Sequence, residues 1–257
     1  MRERLSNYYG AHDELERIDR LARVHIAQLA ATQAQVDRFV APGSRVLDCC
    51  CGKGTHCLAL AKQGYSVYAG DLLEEHVSHV RAADAEGLLE GCAVVDARDL
   101  SAFSPDSFDA VLCLGALYHL PDSADRERVV REVHRVLRPG GHGFLGYINR
   151  AAALLKRLKD RPDDFEDAAA EYESRCVKGV FYHSDPQEAE LLARRTGFHI
   201  AAHVGSSGMT PLVRESLDRM SEDQFGRFLE LHLRTCSDPT TLGMSLHGLV
   251  VAEKRVL

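Results

Sequence analysis

The sequence predicts an α/β fold: a doubly wound, mostly parallel sheet of seven strands with helices on its faces. Three observations carry this. Residues 45–150 alternate short apolar runs with helical patterns, and near-continuous apolar strands separated by helices read as a parallel sheet buried on both faces. Residues 45–71, RVLDCCCGKGTHCLALAKQGYSVYAGD, read as strand, tight glycine loop, helix, and a second strand ending at an acidic residue. Beyond residue 150 the rhythm breaks into charged, helix-rich stretches, as insertions over one end of a sheet would. At 257 residues with 45% hydrophobic content, one large domain with a substantial core is expected. Its parts are an N-terminal helical lid (1–44), a ligand-binding core (45–148), and insertions with the last strands (149–257).

The elements follow in order. Leu15, Ile18, Leu21, Ala22, Ile26 and Leu29 fall at helical spacing, and Ala41-Pro42-Gly43 ends that pattern. Tyr8 and Tyr9 precede it. A strand ends at Asp48. Gly52 and Gly54 permit a sharp turn and close approach of a ligand to the backbone. Thr55 can cap a helix that stops at Gly64, a residue suited to the C′ position. Asp71 closes the second strand. A helix through Val77 and Val80 leads to a strand at 92–95, and an apolar strand follows at 110–114. Asp122 opens a helix through Val129, Val133 and Val136, and a glycine turn leads to a strand at 143–148. Ser184-Asp185-Pro186-Gln187 reads as a capping box for a helix to Thr196. Strands at 198–204 and 246–253 bracket two short helices, and His199 and His203 are expected on one face of the former.

The formal net charge of −7 argues against nucleic acid as a partner. The longest apolar runs are too short to span a bilayer and the first residues lack a signal-peptide core, so a cytoplasmic location is the default. Eight cysteines occur without a single CxxC pair; no metal site is expected, and the thiols read as free and mostly buried.

The loop binds a nucleotide-type ligand, because ligands of open α/β sheets sit at the strands' carboxyl ends, where a helix N-terminus favours an anion. The dinucleotide pattern G-x-G-x-x-G/A is weakened by Cys57 at its third position, and no Walker A loop is present. Asp48-Cys49-Cys50-Cys51-Gly52-Lys53-Gly54 instead resembles the D-x-G-x-G-x-G loop of class I S-adenosylmethionine-dependent methyltransferases, with Cys50 where the first glycine is usual. Asp71, Asp96-Ala97, the segment 104–111 and Leu137-Arg138-Pro139-Gly140-Gly141 resemble the family's later motifs, in order. Tyr8-Tyr9 with Asp13-Glu14, Arg17 and Arg20, and Tyr118-His119-Leu120, resemble a bacterial small-molecule-type subgroup.

The resemblance implies a Rossmann-like fold with an antiparallel C-terminal strand, helical lid insertions, and S-adenosylmethionine as cofactor. The loop amides at 52–55 would take its carboxylate and Asp48 would orient its ammonium. Asp71 would hold both ribose hydroxyls, and Asp96 with Ala97 would meet the adenine. Leu72 and Leu114 would pack on the base and near the sulfonium. Lys53 adds a positive charge beside the loop. Tyr8 or Tyr9 would cap the cofactor, with Tyr8 the expected contact. Residues 149–245 would wall the acceptor pocket, with His232 and Cys236 lining or covering it. His119 is the candidate general base, beside Tyr118, needed if the acceptor arrives as a hydroxyl or ammonium. Methyl transfer to an oxygen or nitrogen of a small molecule is therefore expected. The alternatives are a peptide, protein or RNA acceptor, or a cofactor-binding protein that transfers nothing; intact Gly52, Gly54 and Asp71 speak against the last.

Overall fold

The computed structural model describes residues 1–11 and 22–256. The expected positions Asp13, Glu14, Leu15, Arg17, Ile18, Arg20 and Leu21 lie outside them. Two helices, α1 (Arg2–Ala11) and α2 (Ala22–Phe39), precede the sheet. The core then alternates β1 (Arg45–Asp48), α3 (Thr55–Lys62), β2 (Ser66–Asp71), α4 (Glu74–Ala83), β3 (Gly91–Val94), β4 (Phe108–Cys113), α5 (Ser123–Val136) and β5 (Leu137–Asn149). Next come α6 (Arg150–Asp160), α7 (Phe165–Ser174), β6 (Cys176–Val177), β7 (Phe181–Ser184), α8 (Pro186–Arg195), β8 (His199–Val204), α9 (Arg214–Asp218), α10 (Glu222–Thr235) and β9 (His247–Glu253).

Strands β3, β2, β1, β4 and β5 lie side by side, all parallel. β9 runs antiparallel along β5 and carries β8 on its outer edge. These seven strands are the expected sheet, antiparallel C-terminal strand included. The order turns back at β1–β4, so the carboxyl ends of these two strands open a crevice between helices of opposite faces. Two apolar layers hold the sheet. One packs Leu47, Val111, Val133 and Phe198, and the other packs Val46, Leu60, Leu112 and Val251. Alternate residues of β1 and β4 go to opposite layers, as the period of two requires.

The structure differs from the sequence reading in several places. A hairpin, β6–β7, joins the sheet through the last two residues of β5. The capping box lies at Ser221–Gln224, on α10. Asp185 is the N-cap of α8, but its carboxylate goes to Arg150 and Arg175 instead of the helix amides. β8 carries a bulge between Ile200 and Ala202. The extra residue reverses the pleat, so His199 and His203 face opposite sides of the sheet. His203 is held at Nε2 by the Tyr147 hydroxyl (2.7 Å) and donates from Nδ1 to Glu190 (2.8 Å).

Candidate active site

The donor loop is tied down by its own backbone. Cys49 N–H donates to Leu112 O (3.0 Å) and Cys51 N–H to Gly70 O (2.9 Å), which stitches the end of β1 to both neighbouring strands. Gly52 (φ 53°) and Gly54 (φ 91°) turn the chain into α3. Gly54, not Thr55, is the N-cap, and it supplies no side-chain cap. A Cβ on Gly54 would come within 2.8 Å of Leu58 Cδ1, whereas one on Gly52 would project into open space. Cys57 fills the position of the missing third glycine; its thiol is fully buried and donates to Gly54 O (3.5 Å).

Asp71 fastens this loop to β2. Its Oδ2 accepts from Gly52 N–H (2.9 Å), and its Oδ1 accepts from Leu73 N–H (2.9 Å) and from His76 Nδ1 (3.0 Å). A carboxylate offers about four acceptor sites, so one, on Oδ2, remains for a further donor. Asp96 is gripped by Arg98, whose Nε lies 3.0 Å from Oδ1 and whose terminal nitrogen lies 2.6 Å from Oδ2. Burial pushes this carboxyl up, but the Arg98 hydrogen bonds and charge outweigh it and hold it below its ordinary value. Asp48 lies wholly beneath the loop, where burial drives its pKa well up, reinforced by Cys50.

These groups border one cavity of about 210 Å³. Cys50, Gly52, Asp71, Leu72, Asp96, Ala97, Leu114, Tyr118 and His119 line it, along with Lys53. Three expected residues do not. Asp48 is covered by the loop, Gly54 shapes the turn from behind, and Tyr8 points away to pack edge-on against Phe181. Tyr9 takes the place expected of Tyr8. Met1, just before α1, and Leu5 and Tyr9 on it are spaced by four and all border the cavity, a stripe that the helical period supports.

At the far end, a short turn after β4 holds Tyr118 and His119. His119 Nδ1 lies 3.1 Å from Val180 O. A carbonyl only accepts, so Nδ1 carries the proton. The Nε2 lone pair therefore accepts from the Tyr9 hydroxyl at 3.0 Å. Phe181 packs against both His119 and Tyr118, so the β6–β7 hairpin supports these rings from behind. Among the described residues no part of 149–245 borders the cavity; its remaining walls come from α2 (His25, Gln28, Leu29) and from His247. His232 instead bonds Ser206 O (3.1 Å) under α10. His56, at the start of α3, is drawn down to about 4 by burial and by His25, so it is neutral at pH 7.

Sequence reasoning missed a further grouping. Cys49 follows β1 and Cys113 ends its partner β4, and with Cys50 their sulfurs lie within 4.8 Å of one another. A search for closely spaced ligands misses Cys113, which arrives through the β1–β4 pairing.

The donor set fits S-adenosylmethionine. The uncapped amides of α3 suit a carboxylate, the space above Gly52 admits a backbone-hugging ligand, and Asp71 keeps one acceptor site for a ribose. Residues 47–145 match the sequence pattern of the family described as methyltransferase domain. The chain is 35% identical over 150 residues to a ubiquinone biosynthesis O-methyltransferase of Xanthomonas campestris, covering 58% of each. It is 34% identical over 163 residues to one of Xylella fastidiosa, covering 62% of each. The chain thus matches less than two thirds of the length of these relatives. An S-adenosylmethionine-dependent methyltransferase structure from Methanosarcina mazei superposes with a TM-score of 0.58 at 24% identity, over 86% of this chain and 97% of that one. Among the described residues no helix is long and apolar enough to cross a membrane. With the ordered motifs, the sheet order and the loop geometry, these likenesses identify residues 47–145 as a methyltransferase domain, with the fold of S-adenosylmethionine-dependent methyltransferases.

Proposed function

We propose that this protein methylates a hydroxyl oxygen of a small-molecule acceptor. The observation that carries the reading is one continuous cavity, which runs from the Gly52 loop and Asp71 to the Tyr9–His119 pair. A donor and an acceptor meeting there would be aligned and shielded from water, which supplies most of what displacement at an activated methyl requires. The cofactor, when bound, supplies that methyl on a sulfonium. The amides at the start of α3 would hold its carboxylate, Asp71 Oδ2 would accept from a ribose hydroxyl, and Ala97 and Leu72 would flank the base.

The acceptor's proton leaves through the Tyr9–His119 pair. The acceptor hydroxyl gives its proton to the Tyr9 oxygen as Tyr9 passes its own to His119 Nε2, or it takes the place of Tyr9 on Nε2 directly. Either way Nε2 ends protonated, and Nδ1–H stays on Val180 O throughout. That carbonyl orients the ring and stabilises the imidazolium that forms. The relatives named for O-methyl transfer in ubiquinone biosynthesis favour oxygen and a small acceptor.

The test is a pair of variants, His119→Ala and Tyr9→Phe, assayed with labelled S-adenosylmethionine against a panel of hydroxylated aromatic acceptors. His119→Ala is expected to lower kcat by about 10²–10⁴-fold, the usual contribution of a positioned base, while affinity for S-adenosylhomocysteine is kept. Full turnover in His119→Ala refutes the assignment of the base.

A further inference from the structure

We infer that Cys49, Cys50 and Cys113 form a three-sulfur site for a soft, thiophilic cation at the floor of the cofactor cavity. The sequence excludes a metal site only within short segments; the sheet builds one across two strands. Asp48 pairs with Leu112 in the parallel register of β1 and β4, so Cys49 and Cys113 are the next residues on each strand. Both side chains join the same apolar layer. Cys50 turns over them, and the three sulfurs lie within 4.8 Å of one another.

Three features make this more than a chance cluster of buried thiols. The first is size. At a metal–sulfur distance of about 2.3 Å, a trigonal plane sets its sulfurs about 4 Å apart, inside the spread observed. The second is the surroundings. Gly115 N–H donates to Cys50 Sγ (3.0 Å). Backbone donors on sulfur offset the negative charge of thiolates, as outer-shell hydrogen bonds do for metal ligands generally. The third is access. Cys113 is sealed in the core, but Cys49 and Cys50 border the cavity, which gives an ion an entry path and an open fourth position. The ligand set is all sulfur, which selects closed-shell soft ions such as zinc or cadmium over magnesium or calcium. Binding replaces three S–H protons by one divalent ion and releases them to solvent, with no change of oxidation state.

The site is read without any methyl transfer, so its test stands apart from that of the proposed activity. Reduced protein is titrated with cadmium while sulfur-to-cadmium charge transfer is followed in the ultraviolet, and X-ray absorption then counts the sulfurs around the bound ion. One ion per chain with three sulfurs is expected. The double variant C49S/C113S should weaken binding at least about 100-fold, equivalent to about 2.7 kcal/mol, whereas C51S/C57S, which removes the other neighbouring thiol pair, should leave the titration unchanged. The wild-type sulfur count stands whether or not the double variant folds. No charge-transfer band, two or fewer sulfurs on the ion, or a titration that survives C49S/C113S overturns the site.

Discussion

Replacing Asp71 by asparagine separates the two roles that the structure gives it. The carboxylate accepts three internal hydrogen bonds, one on Oδ2 and two on Oδ1. Asparagine has one acceptor oxygen. The less costly orientation keeps that oxygen toward Leu73 and His76, and turns the amide nitrogen toward Gly52. One charge-assisted bond of about 1.5–3 kcal/mol is then lost, and two donors face each other. In a protein of this size, about 2–4 °C of Tm is lost per kcal/mol, so the cofactor-free variant should melt about 3–12 °C lower. The same substitution places a donor where the ribose hydroxyl would donate and frees the loop that carries the carboxylate-binding amides. Affinity for S-adenosylhomocysteine should fall by about 10–150-fold, the equivalent of one further charged hydrogen bond. Scanning calorimetry of the cofactor-free protein and isothermal titration with S-adenosylhomocysteine read the two effects separately. An unchanged Tm contradicts the stapling role, and unchanged affinity removes Asp71 from the cofactor site.

Other consequences are as direct. Gly54→Ala introduces a Cβ 2.8 Å from Leu58 Cδ1 at a φ of 91°; a loss of about 1–3 kcal/mol in thermal stability is expected, and none would show that the loop is not strained. Burial holds the Asp48 carboxyl well above its ordinary 3.8. Its folded-state pKa is raised, so the folded protein holds this proton more tightly; stability falls as pH rises from 3.8 through the folded value and stays reduced above it. Asp48→Asn should flatten that slope in a pH series of melts, and an unaltered profile would mean the carboxyl is not desolvated. His56 and His183 behave oppositely. Burial pulls both down to about 4, so the unfolded chain binds their protons first and stability is lost as pH falls from 6.5 toward 4. His183→Gln should lessen that acid-side loss in chemical denaturation, and no change would show the ring to be solvated.

Much of the cavity lining at the strand ends was legible because its signals are local. The loop at 48–54, Asp71, and Asp96-Ala97 each follow a strand, and strand ends are visible as the last residue of an apolar run. The acceptor half depends on distant pairings. Tyr9 and not Tyr8 faces the cavity because one helical residue rotates the side chain by about 100°, and only the Met1–Leu5–Tyr9 stripe distinguishes them. Val180 reaches His119 through the β6–β7 hairpin, whose first strand is two residues long and is held by pairing with its partner rather than by any apolar pattern. A single bulge in β8 separates His199 from His203, and no turn residue announces it. Cys113 finds Cys49 through strand register, which composition and spacing do not encode.

The most direct test of the whole account is titration of the purified chain with S-adenosylmethionine and S-adenosylhomocysteine, followed by calorimetry and melting. One equivalent of each is expected to bind, and ligand at 100 times its Kd should add about 2.7 kcal/mol of stability. No heat and no Tm shift with either compound would contradict the assignment of the cavity as the methyl donor's site.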